Sequence, residues 1–423
     1  MIFPFGRILL LCCALLIACD KPAPDSPSPT ISVVFKHSKL FGDSSAFDRL
    51  ISEFEYENAG IRVERQTLPS SSDAQHLFYA INFQAKSSAF DVLAVDIIWV
   101  AEFARSKWLR DLSHLLPSGE FTAFFSGPTR AVTYEGKIFA IPWFIDAGLL
   151  YYRKDLLQQY GFSPPETWDQ LVHIARTIVG KETELYGFVW QGKQYEGLIC
   201  NALEYIWSNG GDVLHERRVV LDSASNRQAL EFMRDLVVSH RVTPDFVTTD
   251  TEETSRRVFG SGRAVFLRNW PYAWNLFQQE GSMVKNKVGV ALLPHFPGHR
   301  SVSTLGGWQL GINRNSLHPE AAEKLVKFLT SPRAQRALSL AYGFHPTRKS
   351  LYRETELLQA QPLLGQLHDI FEQARPRPVT PFYIMISQVL QSEFSAVIAG
   401  VKPADMALRS AQTRVEKILA HGD

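Results

Sequence analysis

Between residues 31 and 107 the chain passes three times from a run of strand length to an apolar pattern of helical spacing, and this alternation limits the architecture more than any other stretch. Ile31 to Phe35 is β-branched and apolar and predicts a strand; Phe47, Leu50, Ile51 and Phe54 then recur at i, i+3, i+4 and i+7, the spacing of one helix face. Asp43-Ser44-Ser45 precedes that helix. Either serine serves as N-cap, while Asp43 either favours the positive helix end or presents a carboxylate where strand gives way to helix. A second strand, Ile61 to Glu64, leads through a polar loop at 70–73 to a helix running from Leu77 to Phe83. A third, Asp91 to Val95, passes through Asp96-Ile97-Ile98-Trp99 into a helix over 101–107. Strand and helix alternating at this spacing imply an α/β fold with parallel pairing and right-handed crossovers. Ligands in such sheets bind beyond the carboxyl ends of the strands, which makes Asp96 and Trp99 site candidates; the other reading of Asp96 is a helix N-cap.

The same grammar continues. Strands over 138–141 and 147–152 flank Pro142-Trp143-Phe144-Ile145-Asp146, where Asp146 sits among apolar residues and its charge requires partners. Thr167 caps a helix from Trp168 to Val179; Tyr186 to Trp190 is a strand; Tyr195 and Glu196 open a helix that reaches Trp207. Helices over 226–238 and 252–259 precede the apolar strand Ala264-Val265-Phe266-Leu267. Val288 to Leu292 and Thr304 to Leu310 are further strands, the latter with Gly306 and Gly307 where backbone can approach a ligand closely. Helices follow over 319–329, 332–341, 363–374, 383–399 and 403–420, with Arg375-Pro376-Arg377-Pro378 a stiff basic corner. A chain of 423 residues is too long for one small core and implies two domains.

The N-terminus stands apart. Residues 1–18 carry one charge, Arg7, and an apolar run from Ile8 to Ala18 too short to span a bilayer stably, which is the pattern of an export signal. The run ends in Leu16-Ile17-Ala18-Cys19, similar to the lipobox of bacterial lipoproteins, so cleavage before a lipidated Cys19 is expected. Residues 19–30 then form an extended tether with four prolines. With Cys12 and Cys13 lost and Cys19 acylated, Cys200 has no partner for an intramolecular disulfide and reads as a buried small hydrophobe.

Asn269-Trp270-Pro271-Tyr272-Ala273-Trp274 packs three large aromatic rings into six residues directly after a strand. Such rings suit the apolar face of a sugar, whose hydroxyls demand hydrogen bonds at the rim. They are equally compatible with core aromatics beneath a turn.

Several chemistries find no support. Loss of Arg7 brings the formal charge from +1 to 0, so nothing attracts nucleic acid or acidic lipid. His295 and His299 are separated by Pro297-Gly298, which forbids the helix that would aim both at one metal, and no cofactor motif appears. Asp96 and Asp146 beside aromatic platforms leave a glycosidase open.

Assembled, these residues resemble the trehalose/maltose-binding lipoproteins of ABC importers, within the extracellular solute-binding protein family. The resemblance rests on 144–157, 188–198, the hexapeptide, 293–299 and Leu305-Gly306-Gly307-Trp308. It implies a type II periplasmic-binding-protein-like fold: a lobe of 31–138 plus about 300–350, a lobe of 139–299 plus about 351–423, and a disaccharide in the cleft between them. It assigns hydroxyl contacts to Asp43, Asp96 and Asp146, ring faces to Trp270, Tyr272 and Trp308, a backbone contact to Gly307, and a further contact to Arg377. Tyr195, Glu196, Trp99 and Gly306 join them as candidates. Gln75 stands where archaeal relatives carry an arginine, and Asp43 replaces a glutamate; both bear on which sugar is preferred. The expected protein is a monomeric, non-enzymatic, lipid-anchored receptor that delivers trehalose, maltose or a similar disaccharide to importer permease subunits. A glycosidase and a sugar sensor that reports to a signalling partner are the alternatives.

Overall fold

A computed structural model of the chain describes residues 30–40, 44–69, 71–117, 119–216 and 218–421. The export signal, Cys19, nearly all of the tether and Asp43 lie outside the described residues.

Two mixed sheets organise the α/β fold. The larger has six strands in the order His345–Pro346, Ala140–Ala147, Leu305–Ile312, Val92–Asp96, Ile31–Ser38 and Ile61–Leu68. The three N-terminal strands pair in parallel, as the alternation requires, and Leu305–Ile312 joins antiparallel to Val92–Asp96. The smaller sheet has four strands in the order Val288–Ala291, Leu149–Arg153, Ala264–Asn269 and Tyr186–Val189. Helices cover both sheets, and Trp168–Val179 follows a capping box in which Thr167 and Gln170 satisfy each other's backbone N–H groups.

One segment departs from expectation. Pro142 to Asp146 lies within the continuous strand Ala140–Ala147 and does not form a loop. Proline lacks the N–H a central strand needs, and the strand accommodates it by a bulge: Trp308 pairs with Phe144 and Gln309 with Pro142, leaving Trp143 as the extra residue. The Pro142 carbonyl instead accepts from Thr347 Oγ1 at 3.0 Å and Gln335 Nε2 at 3.2 Å.

Among the described residues the chain passes between the sheets three times. The first passage is at Gly148, between strands Ala140–Ala147 and Leu149–Arg153. Ala140–Ala147 therefore sits on the six-stranded side, beyond the expected division at 138/139. The second passage is the loop ending at Thr304, and the third is at Arg375, since Leu364–Gln373 packs against Ala140–Ala147 while Tyr383–Ile398 packs against Glu196–Trp207. The passages are laced together: Gly148 N donates to the Thr304 carbonyl at 3.3 Å, Ser303 Oγ to the Gly148 carbonyl at 2.8 Å, Arg375 N to the Ser303 carbonyl at 2.9 Å, and Leu305 N to the Arg375 carbonyl at 2.8 Å. One hydrophobic cluster runs through this junction, from Phe83 and Phe103 to Leu267 and Phe277. Cys200 is buried and forms no disulfide among the described residues, and burial pushes its thiol well up.

Candidate ligand-binding site

The sheets bring distant candidates to one place beside the three passages. Gly306 pairs with Asp146 and Trp308 with Asp96, which puts both carboxylates and both glycines at one end of the six-stranded sheet. From the other half, strand Ala264–Asn269 delivers Trp270 to the same point: a Cβ added at Gly306 would lie 3.0 Å from Trp270 Cζ3 and 3.3 Å from Asp146 Cβ. Gly307 adopts φ +119°, and a Cβ there would collide with the Phe144 carbonyl oxygen, so this position demands glycine.

Arg377 spans the halves. Its Nη1 donates to Glu196 Oε1 at 2.8 Å and its Nη2 reaches Asp96 Oδ1 at 3.4 Å, while its buried Nε has no partner among the described residues. Tyr383 OH donates to Glu196 Oε1 at 2.7 Å and Ser387 Oγ to Glu196 Oε2. Asp96 also accepts from Ser72 Oγ at 3.0 Å and from the Ile98 N–H at 3.3 Å; the second bond closes the turn before helix Val100–Arg105, whose N-cap is Trp99 with no side-chain cap, so Asp96 is not the helix N-cap of its other reading.

The local field is strongly acidic. Burial pushes the Asp146 carboxyl up to about 7, the neighbouring Asp96 charge adds to the shift, and Arg268 opposes it. His345 stands 4.0 Å from Asp146, and burial holds its ring neutral, down to about 3. Asp73 is raised by burial and by Asp96, with His76 and the Glu196 N–H opposing and Glu252 adding. Asp73, Glu196 and Glu252 all lie in first helical turns, where the helix dipole favours negative charge.

Some candidates stand further back. Tyr195 and Tyr272 donate to Glu252 Oε2 at 2.6 Å and Glu253 Oε1 at 2.8 Å, and Trp270 Nε1 faces Glu252 Oε1 at 3.5 Å. Trp99 is only 1% exposed. It packs among Tyr79, Phe103 and His76 and supports Trp308 edge-on, which corrects its expected place at the ligand surface. Gln75 is fully buried; its Nε2 donates to the Pro69 carbonyl at 2.6 Å, and its Oε1 has no hydrogen-bond partner among the described residues.

Among the participants that the sequence did not single out are Glu252, His345, Arg268 and Glu204. A signal existed for two of them. Arg268 is a lone charge directly after the apolar run Ala264–Leu267 in a strand buried at every position, and Glu204 interrupts a helix, Glu196–Trp207, that is also buried at every position. Such charges need one another. Two concave surface regions, of about 910 and 680 Å³, flank the Arg375 passage and contain none of the predicted site residues.

Comparison with known proteins gives a consistent picture. The family model for bacterial extracellular solute-binding protein matches residues 39–336. A probable ABC transporter-binding protein of Deinococcus radiodurans is 36% identical over 376 residues, covering 86% of this chain and 89% of the relative. Maltose-bound MalE3 of T. maritima superposes with a TM-score of 0.87 at 43% identity, over 92% of this chain and 100% of that one. An ABC transporter solute-binding protein of Thermotoga lettingae, bound to alpha-D-tagatose, follows at TM-score 0.82 and 27% identity, covering 93% and 100%.

Proposed function

This chain belongs to the bacterial extracellular solute-binding protein family, and from that premise we propose that it is the sugar receptor of an ABC importer, taking glucose disaccharides of the maltose or trehalose type. The observation that carries the reading is the meeting of Trp270 from one half with Asp146 and Gly306 from the other: an aromatic face backed by glycine, rimmed by carboxylates. Carboxylates and Arg377 bind hydroxyls through charge-assisted hydrogen bonds without requiring a charged ligand. The maltose in a relative 43% identical supports a glucose disaccharide, and the tagatose in the more distant one marks how far the sugar class extends.

The two sheet-centred halves act as lobes that close on the sugar, the hinge mode general to periplasmic binding proteins. The mature chain begins at lipidated Cys19, which together with the tether holds the receptor at the cell membrane. Mass spectrometry of the mature N-terminus checks this, and an uncut signal or an unmodified Cys19 counts against it. Among the described residues no helix is long and apolar enough to cross a membrane.

One observation favours a second reading. A carboxyl raised to about 7 beside a second carboxylate is also how a glycosidase prepares a general acid. Calorimetric titration with maltose, trehalose, tagatose and mannitol, with glucose release followed in parallel, separates the two. Saturable disaccharide binding without glucose above a buffer control is expected; steady release establishes hydrolysis, and absence of sugar binding removes the receptor reading.

A further inference from the structure

Arg268 and Glu204 form a fully buried ion pair, Nη2 to Oε1 at 2.5 Å and Nε to Oε2 at 2.8 Å, that belongs to neither the carboxylate rim nor the ring faces. A bidentate guanidinium–carboxylate pair is rigid, and this one is held at both ends. On one side Glu204 Oε1 accepts the Thr304 N–H at 3.1 Å, at the second passage between the halves. Gly148, at the first passage, lies so close that a Cβ there would stand 2.6 Å from Arg268 Nη2 and would overlap the Glu204 carboxylate. On the other side the Arg268 guanidinium stacks over the Trp270 ring, 4.1 Å from its centroid. Gln191 Oε1 receives Arg268 Nη1 at 3.3 Å, and its Nε2 donates to the Arg268 carbonyl at 2.9 Å and to Ser255 Oγ at 2.9 Å. The pair therefore touches the hinge passages with one end and the principal aromatic platform with the other.

We propose that Arg268, locked by Glu204, is a positioning residue that sets the angle of the Trp270 ring and couples it to the Gly148 and Thr304 passages. The proposal rests on the reading of Trp270 as a sugar platform. The mechanism is geometric: a planar cation over the indole fixes its tilt, and the carboxylate that orients the cation is itself hydrogen-bonded to the backbone of the Thr304 passage between the halves. Rotation at Thr304 shifts Glu204, and Glu204 carries Arg268 and the indole with it. Lysine retains the charge but neither the plane nor the bidentate grip, so Arg268→Lys uncouples orientation from charge.

The experiment is a double-mutant cycle on the full mature chain, with maltose and trehalose as probes. Arg268→Lys is expected to weaken binding about tenfold in the wild-type background and to leave affinity unchanged in a Trp270→Ala background. A purely structural role for the pair gives the same loss in both backgrounds and overturns the proposal. Should Arg268→Lys not fold, Glu204→Gln occupies its place in the cycle. A readout without ligand is hydrogen exchange of the Trp270 indole N–H, which speeds up in Arg268→Lys while neighbouring backbone amides of Ala264–Asn269 stay protected; an unchanged rate overturns the proposal whether or not any sugar binds. Failure of both probes to bind wild-type protein, with the indole effect present, overturns only the choice of sugar.

Discussion

Gly306 and Asp146 face each other across adjacent strands, and the Trp270 indole lies 3.0 Å from where a Gly306 side chain would begin. Substituting either of the two neighbouring glycines therefore has different consequences. Gly306→Ala pushes the Trp270 ring by a few tenths of an ångström, so maltose affinity falls about tenfold while stability changes by less than about 1 kcal/mol. Gly307→Ala strains a positive φ and collides with backbone, so it destabilises the fold by roughly 1–3 kcal/mol. Denaturant melts paired with calorimetry separate the two; equal stability loss at both positions contradicts the geometry.

Removing the platform itself gives a larger effect on binding. Trp270→Ala is expected to weaken disaccharide binding by ~1–3 kcal/mol, the scale of one large buried apolar contact. Unchanged affinity in a folded variant returns Trp270 to a packing role.

The pH dependence follows from two shifts of opposite sign. Asp146, raised from 3.8 to about 7, keeps its proton in the folded state where the unfolded chain has lost it, so its contribution to stability falls as pH rises through that window. His345, lowered from 6.5 to about 3, is neutral when folded and charged when unfolded, so its contribution rises with pH over a nearly matching range. In wild type the two slopes offset each other between about pH 4 and 6.5. Asp146→Asn removes one, and stability should then climb with pH by up to about 1.4 kcal/mol per unit relative to wild type. Chemical melts at several pH values test this, and parallel curves for the two proteins refute it.

Closure is checked in solution. Saturating disaccharide should reduce the radius of gyration in scattering, because Asp96 and Trp270 belong to different halves and a ligand touching both favours their approach. Asp96→Ala combined with Trp270→Ala should abolish the reduction. A wild-type protein that binds tightly with an unchanged profile removes the hinge mechanism and leaves the receptor function standing.

Much of the fold was legible because long helices and strands carry their own periods. Trp168–Val179, behind its Thr167 cap, and Pro319–Leu329, opened by its proline, lie where the apolar spacing puts them. Pro142 misled, since a proline marks a strand end unless a bulge elsewhere in the ladder receives it, and that bulge depends on a strand some 165 residues downstream. Asp96 and Trp270 were legible as candidates because strand ends are where such sheets gather polar groups. Trp99 obeyed the same rule and is nevertheless core, because one aromatic at a strand end looks alike in both settings. Arg268 and Glu204 were invisible as a pair: 64 positions separate them, and each alone is merely an odd charge in an apolar run.

The passages at Gly148, Thr304 and Arg375 are odd in number, and parity has a consequence for the ends of the chain. An even count would return both termini to one half. With three, the strand beginning at Ile31 belongs to the six-stranded half, while the helix Ala404–Ala420 packs against Tyr383–Ile398 on the four-stranded half. A surface that holds the chain by its N-terminal end therefore grips one half and leaves the other as the swinging arm. The same parity makes the molecule a natural strain gauge: a donor dye near Ile31 and an acceptor near Ala420 ride on opposite arms, and their separation reads out the bend without touching the cleft.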